Sequence, residues 1–241
     1  MPMLEEEQTI EFRKLKRRVP TIDKVVYVIP TLNESATVGD VVKNAKRFAH
    51  RVVVVDGHSD DGTAEMAQKA GADVIFQDGR GKGMALRTVF DQIDGDIYVI
   101  IDGDATYDVM ETGKIVKPII DDRADMVIGS RLRGKMEEGS ITRLNSIGNM
   151  FFNFLINYLY RGNITDSQSG FRALNRKTVE CLNLSSKGFE VETEMTVKAL
   201  KQGLTITEVP ITYVKRRGSV SKLNSFKAGS TILKTIINPS L

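Results

Sequence analysis

A chain of 241 residues, 41% hydrophobic and 27% charged, has enough apolar mass for a sizeable core and an ordinary composition for a soluble globular protein. Its net charge of +3 is too small to indicate a nucleic-acid partner, and its one cysteine, Cys181, excludes an internal disulfide and suits a reducing compartment. The first 20 residues, "MPMLEEEQTIEFRKLKRRVP", have no apolar centre and so do not form a secretory signal, and no run of about 18 apolar residues predicts a membrane span.

Those first 20 residues predict a charged extension in which "RKLKRR" sits in solvent or on an anionic surface. From residue 24 the chain alternates. "KVVYVIP" predicts a strand and "SATVGDVVKNAKRFA" a helix. "RVVVVD" predicts a strand, and "DGTAEMAQKAG" a helix closed by Gly71. "ADVIFQD", "GDIYVIID" and "ADMVIGS" predict further strands, with helices at "KGMALRTVFDQI" and "METGKIVKPIIDD". Near-continuous apolar strands between helices predict an α/β protein with a mostly parallel sheet covered on both faces. The second half is less regular. A loop at 133–142 leads to an apolar helix at 144–160, then "TDSQSGFRAL", a helix near 190–202, the strand "TITEVPITYV", a basic loop at 215–222 and a last helix to about 237.

Ligands of such sheets bind at the carboxyl ends of the strands. Those ends here read Pro30 to Glu34, Asp56, Asp102 to Asp104, and Ser130-Arg131. "IIDGDAT" ends a buried strand with two carboxylates two residues apart, on one side of an extended chain. A divalent cation between Asp102 and Asp104 relieves their repulsion, and two hard oxygen ligands with open positions suit Mg²⁺ or Mn²⁺ carrying phosphate. A turn is the plainer reading of Asp-Gly-Asp. Asp56 and Glu34 can accept from the N–H edge of a nucleobase, whereas Ser59, Asp60 and Asp61 read better as helix caps. "DGRGKGMAL" offers backbone N–H groups and Lys82 to a phosphate, but it is neither a Walker A loop nor a dinucleotide fingerprint. Arg131, Arg133, Lys215, Arg216, Arg217 and Lys222 supply further cations.

Helix 144–160 carries Asn145, Asn149, Asn153 and Asn157 in one stripe, and aromatic and aliphatic residues elsewhere. It predicts a core helix, or an interfacial one if the substrate is a lipid. Cys181 predicts a buried structural thiol, and the two histidines, His50 and His58, are too scattered for zinc.

Taken in order, "IPTLNES", "VVDGHSDDGT", "GKGMALRT", "IDGDATYD", "IGSR", "DSQSGFRAL", "GFEVETEM" and "VPITYVKRRGSVSKL" resemble the family 2 glycosyltransferases, and among them the dolichol-phosphate mannose synthases and polyprenyl-phosphate sugar transferases. The resemblance runs from about Val25 to about Lys222. It implies one GT-A domain over 21–241, a nucleotide-sugar half at 21–131 and an acceptor half at 132–241. It places Pro30, Leu32, Glu34, Asp56 and Ala105 among the donor-binding residues, with Asp102 and Asp104 as the metal and diphosphate motif. Arg131 corresponds to a phosphate-facing arginine, and Arg216 and Lys222 to the cations of a C-terminal loop; the spacing leaves Arg216 or Arg217 open. The activity implied is inverting, metal-dependent transfer of mannose, glucose or N-acetylglucosamine from a GDP- or UDP-sugar to dolichyl or polyprenyl phosphate, at the cytoplasmic face of a membrane.

An anionic acceptor oxygen needs no general base; a saccharide hydroxyl does. Glu190, Glu192 and Glu194 are the candidates for that, with Glu192 held as the acceptor-side residue and helix-start capping as the plainer role. A transferase acting on a soluble acceptor, a non-catalytic nucleotide-sugar-binding module and a nucleotidyltransferase are the competing readings. The last lacks a Gly-rich signature after the first strand.

Overall fold

The computed structural model describes residues 24–218 and 225–238; the charged extension and Lys222 lie outside the described residues. Seven strands form one sheet in the order β3-β2-β1-β4-β6-β5-β7. They are β1 (Val25–Thr31), β2 (Arg51–Asp56), β3 (Asp73–Phe76), β4 (Ile97–Ile100), β5 (Met126–Met136), β6 (Arg172–Asn175) and β7 (Ile206–Tyr213). Only β6 runs against the rest, paired antiparallel with both β4 and β5. Around the sheet lie α1 (Val38–Ala45), α2 (Thr63–Ala70), α3 (Lys82–Gln92), α4 (Thr112–Ile120), α5 (Arg143–Tyr160), α6 (Arg176–Leu182), α7 (Val191–Lys201) and α8 (Ser225–Ile237).

Alternation along the strands divides the core. Tyr27, Ile29, Val54 and Val99 face Val38 and Val42 of α1 and Ile115 and Ile119 of α4. Val26, Val28, Val53 and Val55 face Leu86 and Val89 of α3 and Val191 and Met195 of α7. Each such side chain contributes about 1.5–3 kcal/mol when fully buried. That explains why the Val-rich strands tolerate polar residues only at their ends. A third cluster joins Ile128 to Ile156 of α5, Val197 of α7 and Ile232 and Ile236 of α8.

The expected mostly parallel sheet with helices on both faces is present. Several local expectations change. "RALN" forms β6, hidden from pattern reading because its Arg172 is fully buried. "RKTVECL" forms the short helix α6, where Cys181 is exposed rather than buried. The first helix shortens to α1, and β5 runs on through the expected loop to Met136. A register shift between Ser130 and Lys135, where β5 pairs with β7, bends the strand just as it presents Arg131. The largest departure is α5. It is not a core helix: only Asn153 and Ile156 are buried, and Leu144, Ile147, Met150, Phe151, Phe154, Tyr158 and Leu159 are exposed.

One close contact ties α3 to the 185–188 loop. A Cβ on Gly83 in α3 would overlap the carbonyl oxygen of Ser186. Gly83→Ala gains about 1 kcal/mol of helix propensity but must displace backbone, an overpacking cost of about 1–3 kcal/mol. Denaturant titration is expected to show a net loss of roughly 1 kcal/mol.

Candidate active site

All the parallel strands deliver their carboxyl ends to one edge, and the antiparallel β6 brings its preceding loop, 165–171, to the same edge. Two cavities open there. One, of about 590 Å³, is lined by Pro30, Leu32, Glu34, Gly57, His58 and Gln77, among others. The second, of about 680 Å³, is lined by Tyr107, Arg131, Gln168, Glu192 and Tyr213, and by Phe152 of α5 and Ile232 of α8. Lys82, Asp102, Asp104, Phe189 and Arg216 line both. The acid pair therefore sits at the junction of two chambers.

Internal cations hold that pair. Lys82 Nζ lies 2.5 Å from Asp102 Oδ1 and 2.6 Å from Glu192 Oε1. Arg216 reaches Asp104 Oδ2 at 2.5 Å and Glu34 Oε1 at 2.8 Å. Burial and the neighbouring Asp102 push the Asp104 carboxyl above the usual carboxylate range, against the pull of Arg216 and Thr106. Burial works to lower the Lys82 pKa, but Asp102 and Glu192 reverse this and keep the ammonium charged. Four carboxylates (Glu34, Asp102, Asp104, Glu192) face two cations, leaving two formal negative charges. Among the described residues no group of three or more His, Cys, Asp or Glu side chains could hold a metal. Asp102 and Asp104 fit a hard divalent cation as two ligands, with the remaining positions left to phosphate oxygens and water, and one such ion matches the formal charge.

Backbone conformation aims these groups. Ala105, with φ 56°, turns the chain so that Asp104 Oδ1 accepts from Thr106 N and Oγ1. Ala105 itself lines neither cavity. A Cβ on Gly170 would lie 2.5 Å from Asp102 Oδ2, so only glycine lets the β6 loop close against the acids. Loop Thr31–Glu34 is stitched to loop Asp56–Thr63: Asn33 N donates to Ser59 Oγ, Ser35 N to Asp61 Oδ2 and Glu34 N to Thr63 Oγ1.

Two expected residues sit differently. Asp56 is fully buried and accepts from Ser59 N, Ser59 Oγ and Thr31 Oγ1, so its carboxylate braces the loop behind the cavity wall. Gln77 and His58 occupy the wall instead. Arg131 lines the second cavity but forms a fork with Asp166, Nη2 to Oδ1 at 2.7 Å and Nε to Oδ2 at 2.8 Å, with its plane over Tyr213. It arrives already neutralised, whereas Lys82 lies at the centre, between Asp102 and Glu192. Of the three glutamates, Glu190 accepts from Lys187 N and Gly188 N, and Glu194 from Ser185 N and Ser186 N; both brace a loop. Glu192 alone faces the cavity, and its Oε2 is buried with no hydrogen-bond partner. Asp166, Tyr107, Tyr213 and Phe189 join the site with no sequence pattern that marks their roles. Asp166 finds its partner 35 residues away, beyond the reach of a local pattern.

The fold and this junction of chambers define a GT-A glycosyltransferase. Residues 27–182 match Glycosyl transferase family 2, and the chain belongs to that family. It is 39% identical to glycosyltransferase AglJ of Haloferax volcanii over 89% of this chain and 71% of that one. It is 33% identical to a dolichyl-phosphate hexose transferase of the same organism, over 92% and 96% of the two chains. Among solved structures, glucosyl-3-phosphoglycerate synthase from Mycobacterium tuberculosis, in complex with Mn²⁺, UDP-glucose and phosphoglyceric acid, superposes with a TM-score of 0.72. That match covers 88% of this chain and 78% of that one at 23% identity, and shows the shared fold.

The Arg131–Asp166 fork is expected to behave as a buried pair. Asp166→Ala strands a guanidinium and should cost about 3–5 kcal/mol in denaturant titration. The double variant Arg131→Met with Asp166→Leu should recover a large part of that loss.

Proposed function

We propose that this glycosyltransferase moves a hexose from a GDP- or UDP-sugar to a dolichyl or polyprenyl phosphate, with inversion. One observation carries the reading: the second cavity shares the charged Lys82, Asp102, Asp104 and Arg216 with the first and is also lined by the apolar Leu144, Phe152 and Ile232. An occupant with an anionic head and a long hydrocarbon tail fits both kinds of lining. The first cavity suits the nucleotide half of the donor. The dolichyl-phosphate hexose transferase relative and the UDP-glucose-bound structural neighbour support the two assignments.

In this reading Lys82 and Arg216 exchange carboxylate partners for phosphate oxygens as substrates enter. Arg216 then grips the diphosphate of the donor, and Lys82 sits between donor and acceptor. Lys222, which corresponds to a family cation, adds charge from the same basic loop. Asp102 and Asp104 would hold Mg²⁺ or Mn²⁺, a Lewis acid that stabilises the departing nucleoside diphosphate. The acceptor oxygen is anionic, so the chain needs to position it in line with the anomeric carbon rather than deprotonate it.

Incubation with Mn²⁺, dolichyl phosphate and a panel of labelled nucleotide sugars should carry one label into the organic phase; failure with every sugar sinks the proposal. Asp102→Ala or Asp104→Ala is expected to lower transfer at least about a hundredfold, with the folded circular-dichroism spectrum retained. Arg216→Ala and Lys222→Ala should also slow transfer; an unchanged rate and KM would remove that residue from the site.

A second reading rests on Glu192, whose Oε2 is unpartnered. A saccharide hydroxyl acceptor would use it as a base. Glu192→Gln separates the two: a rate that survives with dolichyl phosphate excludes an obligatory base, and a loss of roughly a hundredfold or more supports one.

A further inference from the structure

The outer face of α5 is unusual for a folded chain. Ile147, Phe154 and Tyr158 are 67%, 63% and 74% exposed, in helical register with the half-exposed Phe151. A cluster of large apolar side chains on one helix marks an interaction site rather than ordinary surface. Its inner side lines the second cavity through Leu144, Gly148 and Phe152, together with Ala228, Gly229 and Ile232 of α8. The exposed face and the apolar lining of the cavity therefore share one helix.

Charge narrows the occupant. No Asp or Glu occurs from 143 to 161 or from 225 to 238, while Arg143, Arg161, Lys227 and Lys234 do. Arg143 starts α5 and Arg161 caps it, so the cations sit at the ends of a charge-free span, Leu144–Tyr160. A second copy of the chain would bring these like charges together. A surface of anionic headgroups over hydrocarbon complements both the cations and the apolar stripe.

We infer that α5, with α8 beside it, is an in-plane docking face for an anionic lipid bilayer, seating the mouth of the second cavity at the membrane. No helix among the described residues is long and apolar enough to cross a membrane, so this contact lies on the surface rather than through it. The inference rests on the lipid-acceptor reading for its purpose but not for its physics. A face at the headgroup boundary lets a phosphate enter the charged junction while its tail stays in hydrocarbon. Residues Ile147, Phe154 and Tyr158 line neither cavity, so the docking contact can be removed without altering the site.

The test is flotation of the full chain with vesicles of phosphatidylglycerol and phosphatidylcholine, beside vesicles of phosphatidylcholine alone, and light scattering without lipid. The unaltered chain should float with the anionic vesicles and less with the neutral ones. Ile147→Ser, Phe154→Ser and Tyr158→Ser combined should cut binding by roughly tenfold or more. Transfer to a short, water-soluble prenyl phosphate should be unchanged in that variant. Absence of flotation, as would follow if another segment of the chain covered the face, overturns the inference. So does binding indifferent to the triple variant, or a dimer that the variant dissolves. Turnover of the soluble acceptor without flotation leaves the functional reading standing and removes this one; flotation without turnover does the reverse.

Discussion

Like charges confined at the end of a buried strand are the constraint around which this molecule is arranged. Asp102 and Asp104 lie two residues apart in sequence, followed by the left-handed Ala105. Burial and the neighbouring Asp102 raise the Asp104 pKa, and positive charge beside the pair opposes that shift. The fold brings that charge from distant parts of the sequence. Lys82 comes from the start of α3, against which Gly83 seats the 185–188 loop. Arg216 comes from beyond β7, 182 residues after its partner Glu34. Each cation touches one acid of the pair and one more glutamate, so each can turn toward an incoming anion while its carboxylates stay partly compensated.

The same constraint explains what the sequence disclosed and what it withheld. Parallel strands buried on both faces read as Val and Ile runs, so β1, β2 and β4 and the acids at their ends were legible. The antiparallel β6 was not. Its four residues include Arg172, fully buried and satisfied by the carbonyls of Ser167 and Ser169 and by Thr196 Oγ1, a pattern that looks like a loop until those partners are in place. Roles divided for a similar reason. Asp56 and Asp102 look alike as acidic strand ends, but Ser59 and Thr31 take up the first, whereas the second stays half-buried at the junction. Glu190, Glu192 and Glu194 are equivalent in a helix-start pattern. Only the path of the 185–188 loop assigns two of them to backbone N–H groups and leaves the third facing Lys82.

Polar side chains on α5 show how a helix can serve a site and a surface together. Asn153 accepts from Ser167 N and Oγ, and Asn157 both accepts from and donates to Ile164. The asparagine stripe therefore clamps the segment that carries Asp166. Asp166 in turn orients Arg131, and Glu208 fixes the Thr165 and Asp166 amides from β7. The Asn153–Ser167 bonds are buried, so they gain more from a low dielectric than exposed ones would, and leaving either unmade is costly.

That polar clamp has a consequence for the rest of the helix. A helix has one circumference, and α5 gives its polar stripe to the 164–167 segment and a further apolar flank to the third core cluster. What remains, from Leu144 to Tyr158, is turned away from both. Were α5 held only by hydrophobic contact, rotation about its axis could bury more of Phe151 and Phe154 at little loss. The hydrogen bonds of Asn153 and Asn157 oppose that rotation, because turning the helix would strand the buried Asn153 amide, the partly buried Asn157 amide and the backbone groups they satisfy. The apolar exposure is thus enforced by the same residues that hold the 164–167 segment. Orientation of the cavity mouth and orientation of the greasy face are one structural variable rather than two.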